Sequence, residues 1–454
     1  MTMKRCAWPS EGRRILVPAW ALFFALFVSF VSLLGALPAC AVPVLNLEDC
    51  LRLADENSPT LAGAEAQRDS ARGLLSQSAV ADRVTLSGTV TAERSGRGGE
   101  EGASYSAGVS AGLKIFDSNR NRYRIEARRQ NLSKADADAE NTLLSVHAAV
   151  KQAYAALLLK LRTQEHREQS VMAHEQRLEQ AQGFYDAGSK PWYDVTKARV
   201  DLGNAQLALV EAQGSVSLAK KELLNAMGIK RDEDFSVVPV SFDVPSELLA
   251  SAPSLALENR PDYRASELSL LGGEASLKAE ARGSSPTLSL SGGYSASGSQ
   301  AFDLTQGWNA GLKMTVPVVD GGEVKAGVAV ACAQVRSLEA SREQLRQKIL
   351  LEVGKALVSL ENAREQVRIS GLTLESAEEN CRIAEGRYET GVGAPLEVTD
   401  ALLNLTEARL AAESAHYALH TAVIELERAV GLEFHGLSSS DRAPAKTPEA
   451  WRLP

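Results

Sequence analysis

Apolar residues recur every three and four positions along Val195, Ala198, Leu202, Ala205, Leu209, Ala212, Val216, Ala219, Leu223 and Ala226. That spacing predicts a helix with one narrow buried seam, and alternating large with small residues lets a second helix come close, as knobs-into-holes packing requires. The same register returns in Val398, Ala401, Leu405, Ala408, Ala412, Ala415, Leu419, Ala422, Leu426 and Ala429. A third seam runs through Val353, Ala356, Leu360, Ala363, Val367, Ser370, Leu374, Ala377, Cys381, Ala384 and Tyr388, which makes Cys381 a packed small residue. Asp117 to Ala187 holds no proline and only Gly183 inside it, so it predicts one helix about 105 Å long at about 1.5 Å per residue. Leu47 to Val80 and Asp194 to Gly228 read as two shorter helices which, end to end, lie beside that long one.

Between the helices the apolar period falls to two, the signature of strands. "SYSAGVSAGLKI" puts Tyr105, Ala107, Val109, Ala111, Leu113 and Ile115 on one face and Ser104, Ser106, Gly108, Ser110, Gly112 and Lys114 on the other. "GWNAGLKMTVPV" repeats the pattern from Trp308 to Val318, and the partner runs "VTLSGTVTA" and "PTLSLSGGYSA" alternate as well. Each has about the 9 to 11 residues that a tilted strand needs to cross a membrane, with an apolar outer and a polar inner face. Four strands cannot close a barrel, for which about eight are the practical minimum, so the chain is expected to oligomerise.

The pattern is written twice. Ala54-Asp55-Glu56-Asn57-Ser58-Pro59 matches Ala256-Leu257-Glu258-Asn259-Arg260-Pro261, Ile115-Phe116-Asp117 matches Val318-Val319-Asp320, and Ala226-Met227-Gly228-Ile229 matches Ala429-Val430-Gly431-Leu432. The period, about 200 residues, is far beyond solenoid repeats. The expected layout is a leader at 1–41, a first repeat at 42–229, a linker at 230–252, a second repeat at 253–432 and a polar tail at 433–454. Each repeat runs helix, two strands, long helix, turn, helix.

The first 41 residues join a basic stretch to the apolar run Ile15 to Leu37 and end in Ala39-Cys40-Ala41. This reads as a secretory signal peptide cut after Ala41. The run is also long enough for an uncleaved anchor, and Leu37-Pro38-Ala39-Cys40 resembles a lipobox with Cys40 as the lipidated residue. Cleavage removes Lys4, Arg5, Arg13, Arg14 and Glu11, leaving 45 basic against 56 acidic residues. A charge near −11 disfavours nucleic acid or anionic lipid surfaces as partners. Cys50, Cys332 and Cys381 then remain, with neither metal-site nor disulfide spacing. Of six histidines only His416 and His420 fall four apart, as metal ligands on a helix would, with no further ligand to complete a site. There is no phosphate loop and no catalytic constellation, so the expectation is a protein that is not an enzyme and carries no cofactor.

Taken together, the strand-to-helix exits "KIFDSN" and "PVVDGG" and the paired turn phrases "FYDAGSKPWYDVTKA" and "RYETGVGAPLEVTDA" resemble the TolC family of outer-membrane efflux proteins. The resemblance runs from "LNLEDCLRLADENSP" to "ELERAVGL". It implies a mainly α fold with a membrane β-barrel, in which a homotrimer closes twelve strands and long helical hairpins form a tunnel through the periplasm. Residues 230–252 and the tail are then candidates for an equatorial belt or for disorder. The implied partners are a periplasmic adaptor, an inner-membrane pump and outer-membrane lipid. The hairpin tips, Ala187-Gly188-Ser189 and Thr390-Gly391-Val392, match the family's adaptor contacts. Glu397 and Asp400 match acids that ring the periplasmic entrance, and Asp194 and Tyr388 match positions in its closing hydrogen-bond network. Gly393 stands where some members place a basic residue. The competing readings are a periplasmic coiled-coil adaptor, which would carry one hairpin with lipoyl-like segments, and a structural scaffold, which would need no strands.

Overall fold

The computed structural model describes residues 44–97, 100–230, 234–240, 246–300 and 303–432. The leader with Cys40 and the tail at 433–454 lie outside the described residues. The elements are β1 (Val44–Leu45), α1 (Leu47–Asn57), α2 (Pro59–Ala79), β2 (Thr85–Arg97), β3 (Glu100–Phe116), α3 (Arg120–Asp186), α4 (Trp192–Ala226), β4 (Ser236–Val237), α5 (Ser246–Asn259), α6 (Pro261–Glu280), β5 (Thr287–Gln300), β6 (Asp303–Thr315), α7 (Glu323–Glu389) and α8 (Pro395–Val430). Helix, strand pair, 67-residue helix and a helix of 35 or 36 residues therefore follow one another twice.

Three of the boundaries that differ from expectation have a local cause. The helix read over Leu47 to Val80 is two helices, because Pro59 disfavours α backbone at the residue before it and Ser58 adopts an extended ψ of 118°. Arg260 does the same before Pro261, with ψ 122°. The long helix α3 starts at Arg120 rather than Asp117, since Ser118 and Asn119 take φ of 58° and 66°. Gly321 and Gly322 fill those left-handed positions in the second copy, where glycine carries no steric cost. Strand β6 stops at Thr315, ahead of Pro317, which has no N–H for a ladder.

Helix α3 packs on α1, α2 and α4, and also on α6 and α8 from the second copy; α7 packs on α5, α6 and α8. The predicted seams are where the burial lies. Val195, Ala198, Ala205, Ala212, Val216, Ala219 and Leu223 are buried on α4, as are Val398, Ala401, Ala408, Ala412, Ala415, Ala422, Leu426 and Ala429 on α8. Ile349, Val353, Ala356 and Leu360 of α7 meet Val423, Leu426 and Val430 of α8 in one cluster. Gly228 and Gly431 end α4 and α8 with φ of 76° and 75°. A Cβ at Gly228 would lie 2.5 Å from the Asn57 carbonyl oxygen, so the end of α4 rests directly on the α1–α2 break. At the matching position of the second copy, Arg260 pairs with Asp262 and Glu352 and donates to the Ala429 carbonyl at 3.3 Å.

Two further ties cross the bundle. The Tyr154 hydroxyl, on a fully buried side chain, lies 2.6 Å from the Val238 carbonyl oxygen and 3.3 Å from that of Leu45. Lys151 of α3 donates to Glu427 of α8 at 2.7 Å, both side chains under a tenth exposed. Cys50, Cys332 and Cys381 are free thiols. Burial, assisted by Asp49, pushes the Cys50 thiol up to about 12, so it is an inert packed group.

The strands form one antiparallel sheet in the order β2-β3-β5-β6. Cross-strand partners share a face, so register decides whether the four alternations agree. Val109 pairs with Gly88 and Tyr294, and Tyr294 with Trp308; Leu113 pairs with Leu290, and Leu290 with Leu312. All apolar rows therefore fall on one face. On it Val90 is 86% and Trp308 78% exposed. The other face is a wall of serine, threonine and glycine, where the Ser87 and Ser110 hydroxyls bond at 2.8 Å.

Candidate functional site

Each long hairpin ends in the same turn. Helix α3 closes as Ser189 N–H donates to the Phe184 carbonyl at 2.9 Å and Gly188 N–H to that of Tyr185 at 2.8 Å. Helix α7 closes as Val392 donates to Arg387 at 3.0 Å and Gly391 to Tyr388 at 3.1 Å. Gly188 and Gly391 hold the left-handed position, with φ of 71° and 75°, as a helix C-terminus commonly requires. Ala187, Gly188, Ser189, Thr390, Gly391 and Val392 are all exposed.

The first turn of each return helix carries an acid, where the helix dipole favours negative charge by about 0.3 to 1 kcal/mol. Asp194 is half-buried. Glu397 is exposed, reaches the Ala394 N–H at 3.5 Å and pairs with Arg387 at 3.3 Å. Asp400, one turn on, is exposed and has no ion-pair partner among the described residues. Gly393 packs closely in this turn, where a Cβ would sit 3.0 Å from the Arg387 carbonyl carbon and the backbone would have to give by a few tenths of an ångström. The cation beside Glu397 comes instead from Arg387.

Tyr388 is the centre of the region. It is 2% exposed and packs with Cys381, Ala384, Val398 and Ala401 of its own hairpin. From the other hairpin Phe184 meets it edge-on, with ring centroids 5.8 Å apart. The Arg177 guanidinium stands 3.6 Å and the Lys190 ammonium 3.2 Å from the Tyr388 ring centroid. Two cations on one desolvated ring are each worth about 1 to 2 kcal/mol. The Tyr388 hydroxyl and Lys190 Nζ are both buried without a hydrogen-bond partner. Burial lowers the Arg177 pKa against the opposing pull of Tyr388 and Asp194. The hairpins are thus joined here through the face of the ring, and the hydroxyl makes no bond to Asp194.

Tyr388, Asp194, Glu397 and the two turns therefore occupy one end of the hairpins. Phe184, Arg177, Lys190 and Arg387 were not singled out from the sequence. Phe184 and Lys190 both sit inside the quoted phrase "FYDAGSKPWYDVTKA", and Arg387 opens "RYETGVGAPLEVTDA", so these three lay within the repeated turn phrases although no role was read for them. Of the histidines, His416 is exposed and His420 half-buried.

Known proteins agree with this architecture. A family model described as outer membrane efflux protein matches residues 50–229 and again 252–432. Outer membrane protein OprJ of Pseudomonas aeruginosa is 26% identical over 315 residues, spanning 67% of this chain and 65% of that protein, just under two thirds of its length. The cation efflux system protein CusC of Escherichia coli is 27% identical over 348 residues, 72% of each chain. A crystal structure of CusC superposes with a TM-score of 0.76 at 21% identity, covering 85% of this chain and 92% of that one. That likeness speaks for the fold. Because the family model spans both halves and most of the length, the chain belongs to the outer membrane efflux protein family and resides in the outer membrane.

Proposed function

We propose that three copies of this chain close a twelve-stranded barrel and form the channel through which an efflux system discharges across the outer membrane. The observation that carries this reading is the sheet, whose four strands put every apolar row on one exposed face and every hydroxyl row on the other. A face of that kind suits lipid outside and water inside. Strands β2 and β6 are the sheet's edges, and lipid does not tolerate unpaired backbone. Pairing β6 of one copy with β2 of the next removes both edges, after which 67-residue helices carry the passage about 100 Å further. An adaptor would bridge two membranes without a sheet of its own in lipid, and a scaffold would need no such face.

The pump side of this reading has a periplasmic adaptor and an inner-membrane pump docking at the hairpin ends. Exposed Ala187-Gly188-Ser189 and Thr390-Gly391-Val392 are the contacts in this reading. Cysteine placed at Ser189 or Val392 should crosslink to the adaptor in an intact pump; reaction only at neighbouring positions would remove the tips from the interface.

At the same end, Asp400 and Glu397 of three copies bring six carboxylates around the entrance, with Tyr388 and Asp194 behind them. Such a ring binds and selects cations. Arg387 offsets part of the Glu397 charge, so Asp400 carries more of the effect. In planar bilayers Glu397→Ala with Asp400→Ala should weaken cation selectivity and block by multivalent cations without lowering trimer yield, and Asp400→Ala alone should do more than Glu397→Ala alone. Unchanged selectivity in a correctly assembled double variant would reduce these acids to helix-end stabilisers, whereas absence of any conductance from the native protein would defeat the channel reading itself.

A further inference from the structure

The polar wall of the sheet is almost free of charge. Across Thr85 to Glu93, Ser104 to Lys114, Ser289 to Ser297 and Thr305 to Lys313, every second residue is serine, threonine, glycine or asparagine except Glu93, Lys114 and Lys313. Glu93 lies toward the strand ends far from the helices, whereas Lys114 and Lys313 lie toward the ends where the helices begin. Register sets the two lysines side by side: Lys114 of β3 pairs with Ser289 of β5, and Ser289 pairs with Lys313 of β6. Their Cα atoms are thus two strand spacings apart, about 9 to 10 Å.

Neither ammonium has an anionic partner among the described residues, and both side chains are exposed. The acids next along the chain are occupied elsewhere. Asp117 accepts from the Asn121 N–H at 2.8 Å, and Asp320 from the N–H groups of Gly322 at 3.0 Å and Val324 at 3.2 Å. Both carboxylates therefore serve the first turns of α3 and α7.

We propose that Lys114 and Lys313 form an anion-binding collar inside the barrel, where it joins the helical passage. This rests on the barrel reading above. Three-fold repetition turns the pair into one ring of three Lys114 and one of three Lys313, offset by several ångström because barrel strands tilt by about 35 to 45°. Six unpaired cations together at one end of the wall, with Glu93 at the far end and low-dielectric lipid around them, focus a positive potential into that part of the lumen. The ligands that such a collar holds are those with several carboxylate, phosphate or sulfonate groups, which span both rings at once. It acts at the opposite end of the passage from the acids Glu397 and Asp400, so a solute meets a negative ring at the hairpin ends and a positive one at the barrel.

The test is block of single channels in planar bilayers by hexametaphosphate, added to each side in turn. Native protein should be blocked from the barrel side at lower concentration than from the hairpin side. Lys114→Gln with Lys313→Gln should raise the half-blocking concentration about tenfold or more, while Lys114→Arg with Lys313→Arg keeps the block, since ring charge and not side-chain shape sets the affinity. Equal block of native and Gln variants, both conducting and trimeric, would overturn the collar and leave the barrel standing. Native protein that neither conducts nor assembles would overturn both.

Discussion

Tyr388→Ala should leave the hairpin ends unlatched, with a channel that conducts more in bilayers at rest and a cell that admits large antibiotics its outer membrane normally excludes. The substitution removes a buried aromatic ring, a loss of about 3 to 5 kcal/mol, together with the seats of Arg177 and Lys190 on that ring. Those two cations and Phe184 come from the first hairpin, whereas Tyr388 comes from the second. The ring is therefore the packed tie between the hairpins at this end, beside Lys151–Glu427 and His166–Glu413 farther along. Tyr388→Phe should behave like the native chain, because the hydroxyl is buried with no partner to lose. If the phenylalanine variant leaks as much as the alanine variant, closure depends on a hydrogen bond from the hydroxyl and the ring-face account is wrong.

Lys151→Met should destabilise the protein by about 3 to 5 kcal/mol, because it removes one half of a buried ion pair with Glu427. Lys151 and Glu427 are 276 residues apart and join α3 to α8 at 2.7 Å, so the loss falls on the contact between the two copies of the fold. Adding Glu427→Leu should recover most of it, since replacing a buried ion pair by apolar groups of similar volume is often neutral or better. Thermal melts followed by circular dichroism give the comparison. A double variant that melts no higher than Lys151→Met would mean that each charge has its own indispensable role there.

Much of this was legible because period and burial coincide. The seams on α4, α7 and α8 fall where large and small residues alternate at heptad spacing, and the four strands alternate strictly enough that register only had to bring their faces into agreement. Local backbone was less legible. Ser118 and Asn119 do not announce a double left-handed turn; Gly321-Gly322 at the matching place do, and only the comparison between copies makes the first readable. The break at Ser58 was written in Pro59, yet the apolar pattern runs straight through it. The cluster around Tyr388 was legible only on its own hairpin, through the seam positions Cys381, Ala384, Val398 and Ala401. Arg177, Phe184 and Lys190 reach it from a different hairpin, and no spacing along one helix encodes a contact between two. Arg387 was hidden for another reason. It supplies a charge near Glu397 from the end of α7, whereas position 393 of the turn itself is a glycine.

If three copies close one barrel, the particle mass in detergent must show it. Light scattering on the purified protein, with the detergent contribution subtracted, should give three chains per particle. A monodisperse single chain would contradict the account, because the edges of β2 and β6 would then stand unpaired in lipid.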